Sequence, residues 1–199
     1  MIEKLNEMRF PIVVALMMLF YSLILYWGYR STSAFLQKKL KPLAKKLDSE
    51  VKSSFLGGTY INILNFGPEM HLKLIPQRGY RKDLVLELLN PLGFQFIIIE
   101  KEGFMFSLWG KEVKISNLFL NTGYLIRADK PSEAESYLMH PKRIDAIKFF
   151  FENDFKKIKA NAKRVYLIKE RCADEDLEKD LTLEKARVYL DHLNSFNVI

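Results

Sequence analysis

"FPIVVALMMLFYSLILYWGY", Phe10–Tyr29, is a run of 20 residues without a charge. A helix rising about 1.5 Å per residue carries such a run across about 30 Å, the thickness of a bilayer's hydrocarbon core. Pro11 falls in the first turn, where a missing N–H costs nothing. Ser22 can satisfy its hydroxyl on its own helix. Phe10 opens the run, and Tyr26, Trp27 and Tyr29 close it as an interfacial aromatic belt would, so these four are the expected membrane-anchor residues. A cleaved signal peptide has an apolar region of about 7–15 residues ending near small side chains. This run is longer and ends in bulky aromatics, with only "STSA" after Arg30 resembling a cleavage site. A core helix this apolar would suit a much larger protein. The run is therefore read as a transmembrane helix and signal anchor, residues 10–29, preceded by a short tail, residues 1–9.

The flanks of the run orient it. Lys4 and Arg9 precede it, whereas Arg30, Lys38, Lys39, Lys41, Lys45 and Lys46 follow it. The positive-inside bias counts basic residues near the ends of a span and gives little weight to acids. It puts the C-terminal side in the cytoplasm, in an integral protein of the plasma membrane, or of the inner membrane if the source is prokaryotic. Residues 30–56 form a basic amphipathic stalk: Leu36, Leu40, Leu43, Leu47 and Val51 make one helical stripe, with lysines opposite. Lys38, Lys39, Lys41, Lys45 and Lys46 are the expected headgroup contacts, since anionic lipid attracts each such lysine by about 1 kcal/mol. The alternative is that the leucines pack on the following domain and the lysines face water. Pro42 lies inside the pattern and is expected to kink or break the helix.

The 199 residues suffice for one ordinary domain plus accessories, and 49% apolar residues suffice for a core. Residues 1–55 carry nine Lys/Arg against four acids, which accounts for +5 of the net +7. The basic excess is thus local to the apolar run, and the rest is nearly neutral. A nucleic-acid binder spreads its basic face over the folded domain, so no nucleic-acid partner is expected. One cysteine, Cys172, excludes an intrachain disulfide framework.

From residue 57 onward the period changes to two. "TYINILNF", "EMHLKLI", "DLVLELL", "FQFIIIEK", "FMFSLW", "EVKISNLFL" and "YLIRA" read as short strands joined by turns at Gly67–Pro68, Asn90–Pro91, Glu102–Gly103, Gly110–Lys111 and Asn121–Gly123. Met70, Leu72 and Leu74 share one face, and Phe94, Phe96, Phe104, Phe106 and Leu108 would form much of the buried face. Asp129 or Ser132 can then cap a helix, with Glu135 completing a capping box from Ser132. Pro141 restarts a helix through about Asn153, a hairpin turns near Asn161, and an amphipathic helix with Leu183, Ala186, Leu190 and Leu193 inward closes the chain. Residues 57–199 are therefore expected to be a soluble α+β domain: a mostly antiparallel sheet with two or three packed helices.

Motifs of catalysis are not found. The sequence has no GxGxxG, no GxxxxGK[ST] and no GxSxG. His71, His140 and His192 lack metal-ligand spacing and read as surface histidines. Asp174, Asp176, Glu178 and Asp180 recur every second residue like calcium ligands, but Lys179 and Lys185 occupy the positions that need Gly and Glu, so the stretch reads as a solvated linker. Acidic neighbours disfavour a Cys172 thiolate. Nothing in the spacing of Asp129, Arg143 and Asp145 demands a site. No catalytic residue, metal or cofactor is expected. The sequence favours a membrane-anchored, non-catalytic module that binds a protein partner or the membrane surface, as an accessory or assembly subunit of a membrane complex. The alternative is a membrane-anchored enzyme whose composite active site is dispersed in the chain.

Overall fold

A computed structural model describes residues 2–54, 58–65, 68–77, 81–101 and 110–197, with the side chains of residues 2–10 and of Leu118 outside that description. The expected strand at "FMFSLW", its turn at Glu102–Gly103 and the placement of Phe104, Phe106 and Leu108 lie outside the described residues.

The N-terminal run and the stalk form one helix, α1, Ile2–Lys46, of 45 residues. By length and composition it is able to cross a membrane, and none of its most apolar stretch is covered by the rest of the protein. Its far end behaves differently: Leu36, Leu40, Leu43, Ala44 and Leu47 are buried in the domain core. The break expected at Pro42 does not occur. A proline inside a helix costs about 3 kcal/mol, and here buried leucines on both sides of Pro42 hold the helix in register. Within the stretch 30–56, residues 36–47 thus lie on the domain, and residues 51–54 supply its edge strand.

That strand is β1, Val51–Ser54, followed by β2, Gly58–Ile63, β3, Met70–Pro76, and β4, Lys82–Leu89, in an antiparallel meander. Gly58 makes the β1–β2 turn possible: its φ is +75°, and a Cβ there would meet the Leu74 carbonyl oxygen at 2.4 Å. The remaining strands are β5, Phe96–Glu100, β6, Lys111–Glu112, β7, Tyr124–Ala128, β8, Lys157–Ala160, and β9, Arg164–Cys172. Described residues form one nine-stranded sheet in the order β1-β2-β3-β4-β9-β8-β5-β7-β6, with every pairing antiparallel. The strand alternation makes one face apolar. Ile61, Leu72, Leu86, Leu167, Ile158, Ile98 and Ile126 stand side by side across seven strands, all buried.

The helices cover that face. They are α2, Leu118–Gly123, α3, Pro131–Leu138, α4, Pro141–Glu152, α5, Asp174–Asp180, and α6, Leu183–Asn194, with a 3-10 turn at Ser195–Asn197. Ile147, Phe150 and Phe151 of α4 and Ala186, Tyr189, Leu190 and Leu193 of α6 join the leucines of α1 in one core. The α+β class read from the sequence is the class observed.

Three local expectations are corrected. Helix α3 is capped by neither Asp129 nor Ser132, and Glu135 completes no box; its N-cap is Lys130, because Pro131 supplies the first turn with its fixed φ. Asp129 instead accepts the backbone N–H of Gln95 at 2.8 Å, tying β5 to the end of β7. In place of a strand through "EVKISNLFL", β6 covers only Lys111–Glu112, and Asn117 caps α2 by accepting from Leu120 N at 3.2 Å. The acidic stretch 174–180 is helix α5 rather than a solvated linker, because Leu177 and Asp180 point into the core.

The core role of the α1 stripe sets a measurable difference between its two sides. Leu40→Ala or Leu43→Ala is expected to cost about 2–5 kcal/mol of stability, and Lys41→Ala or Lys45→Ala less than about 0.5 kcal/mol, in denaturation of the full chain in detergent.

Candidate functional site

The sequence-derived residues divide along α1. Tyr26 and Trp27 are exposed, Trp27 at 66%, and Tyr29 is half-buried; the side chain of Phe10 is outside the described residues. Lys38, Lys41, Lys45 and Lys46 are exposed on the side away from the sheet. Lys39 is not on that side. Its Nζ lies 3.1 Å from Asp174 Oδ1 and 3.7 Å from Glu178 Oε1, both on α5.

Asp174 is shared with Lys82 of β4, whose Nζ donates to the same Oδ1. Phe35 of α1 lies under both ammonium groups, its ring centroid 5.5 Å from Lys39 Nζ and 5.0 Å from Lys82 Nζ. This clamp joins α1, β4 and α5. Hydrogen bonds from Lys82, then Lys39, hold the Asp174 carboxyl below the usual range. Sequence reasoning missed Phe35, Lys82 and Asp174, because residues 82 and 174 are 92 apart and no local signal joins them.

Two clefts flank α1 at this level. One, of about 290 Å³, is lined by Gly28, Tyr29, Thr32, Ser33, Leu36 and the β1–β3 residues Ser54, Gly58, Thr59, Ile75 and Pro76. The other, of about 520 Å³, is lined by Ser31, Thr32, Phe35, Pro76, Gln77, Arg81, Lys82 and Asp174. Thr32 and Pro76 border both. The linings mix hydroxyls and apolar side chains, with cations on one side only.

A second polar cluster lies on the sheet face opposite the helices. Glu87 of β4, 1% exposed, accepts from Lys73 of β3 and Arg164 of β9 and lies 3.3 Å from His71 Nδ1; His71 Nε2 is 2.8 Å from Glu69. His71 is therefore buried rather than a surface histidine. The register places His71, Glu87 and Tyr166 in one row across β3, β4 and β9. Burial pushes the Glu87 carboxyl up, but hydrogen bonds from His71, Lys73 and Arg164 outweigh it and bring it to about 2. Lys73 and Arg164 both pair with Glu87, and His71 links Glu87 to Glu69, so the buried carboxylate is compensated.

Elsewhere the polar groups are tied into the core. Tyr189 donates to Asp180 at 2.6 Å, and Lys169 Nζ lies 2.9 Å from the other Asp180 oxygen. Burial, then the Asp180 hydrogen bond, pushes the Tyr189 hydroxyl far above its ordinary value. Arg143 lies flat on Tyr137, 3.8 Å from its ring centroid, and donates to the Tyr137 carbonyl. It does not meet Asp129 or Asp145. Cys172 is buried, and burial raises its thiol, which keeps it a poor nucleophile. Among the described residues, no three His, Cys, Asp or Glu side chains gather as metal ligands.

These features define an antiparallel α+β domain with helices on one face and a helix of membrane-spanning length built into its core. No protein-family model matches the chain, and no curated protein matches it. The crystal structure of the mycobacterial trehalose monomycolate transport factor A, TtfA, is similar in fold. It is 11% identical, with a TM-score of 0.53 over 80% of this chain and 95% of that one.

The Glu87 network gives a pH signature. The folded carboxyl sits below its ordinary value of 4.5, so its stabilisation is present above that value and is lost as pH falls towards 2. Glu87→Gln is expected to cost stability at pH 7, by up to about 3 kcal/mol in denaturation, with the one-third exposed Arg164 softening the loss. The gap to the unaltered protein should narrow as pH drops from 5 to 3.

Proposed function

We propose that this protein is a single-pass membrane protein whose α+β domain acts as a non-catalytic accessory or assembly module of a membrane complex, with the domain in the cytoplasm. The observation that carries the proposal is the continuity of α1: the exposed apolar stretch ending at Trp27 and the buried Leu36–Leu47 stripe belong to one helix. A domain joined by a flexible linker samples many orientations, whereas one whose core grips the spanning helix would be held at a set height and angle. That arrangement suits a part whose work is to present a surface at a membrane. The fold likeness to a transport factor is consistent with an accessory role. The cytoplasmic side follows from Arg30 and the lysines beyond it.

The continuous helix also bears on which cations would meet lipid. At about 1.5 Å per residue, Lys41 stands about 21 Å beyond Trp27 and Lys46 about 28 Å beyond it along α1. Screening over about 8 Å would isolate these lysines from headgroups if the helix stands upright. We assign headgroup contact to the base of the domain, and give Lys38, Lys41, Lys45 and Lys46 that role only if α1 tilts strongly.

Carbonate washing of membranes should leave the full chain in the pellet, and deletion of residues 1–30 should release it. Cys172 is too buried to report topology, so Lys163→Cys, in the exposed β8–β9 turn, is the labelling site. An impermeant maleimide should label it only after the cells are opened. On mild solubilisation the protein should migrate as part of a larger assembly. Release of the full chain by carbonate would remove the anchor, labelling in intact cells would invert the topology, and migration solely as a monomer would remove the accessory role.

A further inference from the structure

The Phe35 cleft lies beside α1 just beyond the end of the apolar run. Ser31, Thr32 and Phe35 lie about 3–9 Å beyond Tyr29, the end of the apolar run. A headgroup layer occupies about 5–8 Å on each side of the hydrocarbon core. The cleft of about 520 Å³ therefore opens at headgroup depth, if the run is embedded. We propose that it binds the headgroup of one anionic phospholipid, with the lipid's acyl chains lying down the apolar side of α1.

Three observations converge on this chemistry. First, the walls are amphipathic in the right order. Ser31, Thr32 and Gln77 offer donors, Phe35 and Pro76 offer apolar surface, and Arg81 and Lys82 offer charge. Second, the helical face below the cleft is apolar: Trp27 and Ile24 lie one and two turns beneath Ser31, and both are exposed. A headgroup in the cleft would place its chains against them. Third, the charge is asymmetric. Asp174 is the carboxylate in the lining, and it is shared by Lys39 and Lys82, with Arg81 exposed at the mouth. Of the charged lining residues, Arg81 and Lys82 are cations and Asp174 is the carboxylate, which leaves the lining positive by one, while Lys39 behind it pairs with both Asp174 and Glu178. Asp174 holds the Lys82 ammonium at the wall. A phosphate diester needs that balance, whereas a zwitterionic headgroup would bring its own cation against Arg81 and Lys82. The Glu87 network on the opposite face offers no such place, because its charges are compensated.

The proposal rests on the membrane-anchor reading, and the two fail separately. The full chain would be purified in mild detergent and titrated with phosphatidylglycerol or phosphatidylcholine of matched chains, with bound lipid counted by native mass spectrometry. One phosphatidylglycerol should be retained, at least tenfold more tightly than phosphatidylcholine. Arg81→Gln should weaken retention about fivefold, the share of one cation at a lipid surface. Thr32→Trp, which fills the border of both clefts, should abolish the preference. Lys45→Gln with Lys46→Gln should leave it intact. Lys82→Gln should match or exceed the Arg81→Gln loss, and its melting temperature would show whether the clamp, rather than the cleft, had failed. Glycerol phosphate at millimolar concentration should not displace the lipid. Equal retention of the two lipids, loss with the Lys45/Lys46 pair instead of Arg81, or displacement by glycerol phosphate would overturn the site. If the same preparations resist carbonate in membranes, such a result defeats the lipid site alone; if they wash out, the anchor falls first.

Discussion

The burial of Leu36, Leu40, Leu43 and Leu47 against the sheet is the contact on which the rest depends. These four side chains repeat at helical spacing and enter the same core as Ile61, Leu72 and Leu86. Each buried leucine contributes about 1.5–3 kcal/mol of transfer free energy. Without that contact, α1 would be a tether and the domain a separate body. With it, a helix that starts as an apolar span ends as a core element, and the Asp174 clamp adds charge pairing to the same joint. The stripe lies at the β1–β3 end of the sheet, which is why clefts form on either side of α1 rather than beneath it.

The sheet strands were the most legible part of the chain. The Met70–Leu72–Leu74 alternation, the hairpin near Asn161 and the α6 stripe of Ala186, Leu190 and Leu193 all stand where periodicity put them. Local signals failed where a tertiary partner outbid them. Ser132 has the residue types of a capping box around it, yet Pro131 starts the helix two residues earlier than that cap would. The acids from Asp174 to Asp180 look solvated by composition, but Leu177 and the Asp180–Tyr189 bond turn them into a packed helix. The β4–β9 pairing at the sheet's centre joins Lys82–Leu89 to Arg164–Cys172, and a single sequence carries no mark of it.

The candidate site was legible only in half. The apolar run, its aromatic end and the lysines beyond were plain in the sequence. The amphipathic stripe left two readings open, lipid or domain, and the leucines turn to the domain. What composition cannot show is height. Lysines close to the apolar run by sequence distance stand further along an unbroken α1, whereas Arg81 and Lys82, remote in sequence, line a cleft with Ser31 and Phe35 near the run's end. The buried Glu87 was hidden for a related reason: alternation assigns it to the outer face, and only the register with Lys73 and Arg164 reveals the partners that cover it.

The central pairing has a consequence for how the chain comes into being. Strand β4 finds β3 as soon as it is made, but its other neighbour, β9, begins 82 residues after β4 does. Residues 90–163 must emerge before the middle of the sheet can close, so the four-stranded meander waits with an unpaired edge. Helix α1 is synthesised first and offers its leucine stripe throughout that interval. The contact that closes the sheet is thus made near the end of the chain, and until then a waiting edge packed on the α1 leucines meets fewer wrong partners than a bare one.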